Sequence, residues 1–193
     1  MDDFDPRTYG PACEELLSEL SPCPLAAGQP HRDRRPQLAD LSIDSVAAGR
    51  TVVDRDMASC CLSGLWLVHN FLDESHTISQ QIHTTSGSYW HGIMHRRETD
   101  FSNSKYWFRR VGQHPIFADL GIAARDSVAA APTHGLAENL QVGGDWDAFH
   151  FVDTCQAALR MGGASQRLCE EIAQSEWQLL FDYCYRHAFA LST

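Results

Sequence analysis

Met57-Ala58-Ser59-Cys60-Cys61-Leu62-Ser63-Gly64-Leu65-Trp66-Leu67-Val68-His69-Asn70-Phe71-Leu72-Asp73-Glu74-Ser75-His76-Thr77-Ile78-Ser79-Gln80-Gln81-Ile82 is the run that decides the fold class. Leu62, Leu65, Trp66, Val68, Leu72, Ile78 and Ile82 follow the spacing of one helix face, which predicts a long amphipathic helix over 57–82. Thr84-Thr85-Ser86-Gly87 breaks the pattern, and Ser88 is placed to cap a second helix from Tyr89 to Glu98. Further helices are expected over 103–111, closed by Gly112, and from Pro115 to Ala131. Pro132, Gly135, Gly143 and Gly144 mark a loop, and two last helices over 146–161 and 165–189 are joined by Gly162-Gly163. No segment shows strand-like alternation of useful length. The expected fold is all-α, a single-domain bundle of about six to seven helices over residues 51–193.

Residues 1–50 read differently. Pro11 suits a first helical turn, and Glu14 to Leu20 suits a short helix. Pro22, Pro24, Gly28, Pro30 and Pro36, with His31-Arg32-Asp33-Arg34-Arg35 among them, then predict an extended loop and an irregular N-terminal segment.

Composition narrows the classes of function. A chain of 193 residues, 44% hydrophobic, can bury one sizeable core. Asp and Glu number 25 against 15 Lys and Arg, a net charge of -10 that repels nucleic acid and anionic membranes, so neither is expected as a partner. The start Met1-Asp2-Asp3-Phe4-Asp5-Pro6 lacks the basic and apolar runs of a secretory leader, and the expected location is cytoplasmic. Seven cysteines, none in a C-x-x-C pair, read as reduced and buried. The G-x-S-x-G, G-x-G-x-x-G, P-loop and H-E-x-x-H signatures are missing.

Gly92 to Val111 follows the layout of a helical hairpin. Gly92 stands at a small position where two helices approach, Asp100-Phe101 at the turn, Ser104 at a small packing position and Trp107-Phe108 at an aromatic pair, with Pro115 beyond. Residues 92–115 resemble one hairpin of the tetratricopeptide and Sel1-like families. No second copy follows at the 34-residue period, so the resemblance implies a local hairpin and not a superhelix. The longer run from Asp73 also resembles an uncharacterised helical family, which implies no activity.

The polar residues on these stripes carry the chemistry. On a continuous helix at about 100° per residue, His69, Asp73, His76 and His83 share the face of Leu62, Leu65 and Leu72. His91, His95 and Glu98 likewise share one face of the next helix. Opposed across a short loop, His69, Asp73, His76, His91, His95 and Glu98 are candidate ligands for a divalent transition metal such as zinc or iron. A hydrogen-bonded histidine network is the alternative for the same residues. Glu176 lies in an apolar stripe of the last helix, where it would need a cation such as Arg97 or Arg109. Arg96, Arg97, Arg109 and Arg110, with Lys105 and aromatics between them, are candidates for binding an anion. Two functions follow. One is a helical binding module for a protein or small anionic ligand. The other is a metal-dependent enzyme, hydrolytic in the simplest case, with its site between the helices at 57–82 and 88–98.

Overall fold

The computed structural model describes residues 4–18, 20, 22–131 and 146–190. Within them the chain is all-α, as expected. The helices are α1 (Pro11–Leu17), α2 (Arg35–Ala39), α3 (Ile43–Ala47), α4 (Arg55–Val68), α5 (Leu72–Ser79) and α6 (Thr85–Arg97). They continue with α7 (Phe101–Val111), α8 (Phe117–Ala130), α9 (Ala148–Met161) and α10 (Gly163–Ala188). A single antiparallel pair joins β1 (Thr51–Val52) to β2 (Phe189–Ala190). The expected loop at Pro132, Gly135, Gly143 and Gly144 lies outside the described residues. No helix among the described residues is long and apolar enough to cross a membrane.

The long helix expected over 57–82 is two helices. Asn70 adopts a left-handed φ of 65°, and the Phe71 and Asn70 N–H groups bond the Trp66 and Leu67 carbonyls. That is the paired bonding of a Schellman stop, with asparagine in the place glycine usually takes. Phe71 then packs edge-on against Trp66, 5.3 Å between ring centroids, the apolar contact that accompanies such a stop. Helical phase is lost there, so His69 no longer shares a face with Asp73 and His76, which both lie on α5.

The segment before α4 reads as irregular from its prolines, yet it carries α1, α2 and α3 and buries Tyr9, Leu16, Leu17, Leu25, Leu38 and Val46. Pro11 does open α1. Arg97 holds the stretch after α1 in place, its guanidinium donating to the carbonyls of Ala26, Ala27 and Leu67.

Helix α6 is the element that positions the site. Thr84, not Ser88, caps it, accepting from the Gly87 N–H. Every residue from Ser86 to Arg97 is buried, so the helix is enclosed on all sides and its polar side chains must find partners inside the protein. It packs against α4, α5 and α7. Gly92 permits the α7 contact: a Cβ there would stand 3.1 Å from the Phe108 ring, and the Ser104 hydroxyl donates to the Gly92 carbonyl at 2.8 Å.

Candidate metal centre

His91 and His95 lie four residues apart on α6, and His76 reaches them from the last turn of α5. Each offers a ring nitrogen, and the three nitrogens lie within 4.8 Å of one another. The His76 ring stands edge-on to His91 at 4.7 Å and to His95 at 5.4 Å, while His91 and His95 are stacked at 4.7 Å. Zinc–nitrogen bonds of about 2.0–2.1 Å at tetrahedral angles need nitrogens about 3.3 Å apart. A closure of up to about 1.5 Å, within reach of small side-chain rotations, would complete such a site.

The surroundings of the three rings differ. His91 is buried, stacked on the Trp107 indole at 3.9 Å and 15°. Its Nδ1 has no hydrogen-bond partner in the protein. Leaving a buried polar atom unmet costs about 1–3 kcal/mol, which an ion or water at that position would offset. Burial, then the nearby His95 and His76, push the His91 pKa down to about 3, so the ring is neutral and its lone pair is available near neutral pH. The His76 imidazole makes no hydrogen bond to any described residue and is only partly covered.

His95 is held by Glu98, whose Oε2 lies 2.9 Å from the His95 Nδ1. Burial lowers the His95 pKa and the Glu98 contact opposes that shift. With the Nδ1 proton donated to Glu98, the lone pair sits on Nε2. A carboxylate bonded to the back of an imidazole is the usual partner of a metal-ligating histidine. Asn103 donates to that lone pair, its amide nitrogen 3.1 Å from Nε2, so a metal held by Nε2 would take the place of this bond. Glu98 thus stands behind a candidate ligand and is not itself in the three-nitrogen cluster. Trp107 and Asn103 were not among the expected site residues; both come from α7, whose register against α6 depends on the Gly92 contact.

His69 is not part of the cluster. It ends α4, where its Nε2 donates to the Leu16 carbonyl at 3.0 Å. Its Nδ1 must therefore accept from the His31 Nδ1, 3.1 Å away. Both nitrogens are used, and burial pushes its pKa down to about 4. Asp73 stands in the first turn of α5, exposed beside a surface cleft, and joins no histidine.

The arginines divide as well. Arg96 is buried and pairs with both oxygens of the buried Glu176, which also accepts from the Tyr89 hydroxyl at 3.1 Å. The cation drawn to Glu176 is thus Arg96, and not Arg97 or Arg109. Burial works against the Arg96 cation, but the adjacent carboxylate outweighs it and raises its pKa. Arg97 is buried too, bonded to the carbonyls named above and to the Asn70 side chain. Burial lowers its pKa to about 10. Arg109 and Arg110 alone are exposed, their guanidinium groups over the rings of Phe149 and Trp107 at 5.8 and 5.2 Å. Comparison with protein-family models, curated proteins and solved structures found no match for the chain.

Proposed function

We propose that the protein binds a divalent transition metal, zinc foremost, through His76, His91 and His95, and acts as a metal-dependent enzyme of the hydrolytic class. The observation that carries this reading is buried His91, with an orphaned Nδ1, beside two further rings that with it bring one nitrogen each within 4.8 Å of one another. Three neutral imidazoles suit zinc and leave a coordination position for water, whose pKa such an ion lowers to about 7. The protein's own contributions are mechanical and electrostatic. Glu98 keeps the His95 proton on Nδ1, Trp107 fixes the plane of His91, and the closed packing of α6 excludes water from behind the ligands. The alternative, a binding module for a protein or small anion, rests on the hairpin resemblance and on four arginines, of which Arg96 and Arg97 are committed inside the fold.

Metal analysis of protein purified without an affinity tag tests the proposal. About one ion per chain is expected, lost in His91→Ala and in His76→Ala combined with His95→Ala. Cobalt substitution should give the visible absorption of a tetrahedral nitrogen-ligated site, and Glu98→Gln should weaken metal binding by about 10–100-fold. Cleavage of p-nitrophenyl acetate should appear with the metal and vanish on chelation. A double histidine variant that loses stability while its metal content matches the parent would establish a structural histidine network instead.

A further inference from the structure

The turn between α4 and α5 and the proline-rich stretch before α2 border an open cleft of about 430 Å³, a size that suits a small-molecule ligand. Ala27, Pro30, Phe71 and Leu72 give it an apolar lining. Four charged side chains also line it: Arg32, Arg35, Asp73 and Glu74. Two of these are spent on each other, Arg35 Nη1 standing 2.7 Å from Glu74 Oε1 with its guanidinium 5.2 Å from the Phe71 ring centroid. The Asn70 amide is spent as well, donating to the Gln29 carbonyl and accepting from Arg97. Arg32 and Asp73 remain. Both are exposed, neither side chain pairs with any described residue, and they stand too far apart to pair with each other.

From this juxtaposition we infer that the cleft binds an α-amino acid with an aliphatic side chain. Its carboxylate would lie on the planar fork of Arg32, its ammonium on the Asp73 carboxylate and its side chain against Pro30 and Leu72. A simple anion satisfies Arg32 but faces Asp73, and a simple cation meets two arginines. Only a ligand bearing both charges answers both free groups. The site is separate from the histidine cluster and does not depend on the metal reading.

Calorimetric titration of the whole chain in excess EDTA, with L-leucine, N-acetyl-L-leucine and L-leucinamide as probes, tests the inference. L-Leucine should bind saturably, and each blocked analogue should bind at least about tenfold more weakly, because each leaves one charged group unanswered. Arg32→Ala and Asp73→Ala should each weaken L-leucine by a similar factor while melting as the parent does. Failure of L-leucine to saturate overturns the proposal. So does equal affinity for either blocked analogue, or a loss confined to one of the two variants. EDTA removes any contribution from the histidine centre, so a metal-free protein that binds L-leucine, or a metal-loaded one that does not, separates the two readings.

Discussion

Helix α6 carries both arginines and histidines into the interior, and the two kinds are treated differently. Arg96 meets Glu176 and Arg97 meets a ring of carbonyls and Asn70, so a charged seam is answered by the protein itself. One to two turns earlier, His91 has a buried nitrogen with no partner, and the His76 imidazole bonds to nothing described. The arginine seam is closed by the protein itself, whereas His91 Nδ1, like the Trp90 indole N–H on the same helix, is buried without a protein partner. Of the two, only the imidazole has a lone pair to offer a metal. Burial is common to both seams. What distinguishes them is whether the bonds close inside the protein.

The largest effect expected is at the closed seam. Arg96→Met leaves the Glu176 carboxylate buried with only the Tyr89 hydroxyl, a loss of about 3–5 kcal/mol in chemical denaturation. Arg96→Met combined with Glu176→Leu removes both charges and should recover most of that loss. If the double variant is as unstable as the single one, packing and not pairing holds this seam.

At the open seam the effect should depend on metal. An ion at one hundred times its dissociation constant stabilises by about 2.7 kcal/mol, or about 5–10 °C in a chain of this size. EDTA should lower the melting temperature of the parent by that amount and leave His91→Ala unmoved. An equal response of the two proteins to EDTA would place any bound ion elsewhere.

The legibility of these seams follows from how far helical phase can be carried. His91 and His95 sit inside one unbroken helix, so their shared face was readable from spacing alone. Asp73 lies on His76's own helix but stands exposed in its first turn, whereas His69 was grouped with His76 by extending the same arithmetic across Asn70, where the chain turns. The signal was present, since asparagine is the residue other than glycine that most readily takes a left-handed stop. The inward position of Glu176 was readable from its apolar stripe, but its partner was not. Neighbouring residues on a helix diverge by about 100°, and choosing Arg96 over Arg97 requires knowing where α10 packs, 80 positions later in the chain. Arg96 and Arg97, grouped with the exposed Arg109 and Arg110 as candidates for an anion, proved to be buried for the same reason: α6 is enclosed by neighbours that no local pattern reveals.

A smaller effect is expected at Gly92. It lies next to His91, and the α6–α7 contact it permits brings Trp107 and Asn103 to the histidines. Gly92→Leu should cost about 1–3 kcal/mol through overpacking against Phe108. Because the displaced helix carries Trp107, cobalt absorption should also weaken. Parent-like stability and absorption would mean that α7 does not shape the open seam.

The smallest effect concerns Thr99, just beyond the end of α6. The Asp100 N–H bonds the His95 carbonyl and the Thr99 N–H bonds the Arg96 carbonyl, so the helix ends in a second Schellman stop. Here the left-handed residue is a β-branched threonine at φ 63°, a conformation that costs such a side chain about 1–2 kcal/mol. Glycine takes it freely but loses more entropy on folding, about 0.5–1 kcal/mol, so Thr99→Gly should stabilise the fold by about 0.5–1 kcal/mol in denaturant titration. The same stop fixes the chain at Glu98, whose carboxylate orients His95. If threonine's stiffness serves that orientation, Thr99→Gly should gain stability while weakening metal binding, because a freer backbone holds Glu98 less firmly. A gain in stability with unchanged metal affinity would mean that Glu98 is positioned by its bond to His95 alone, and that the strain at Thr99 serves the helix end and not the site.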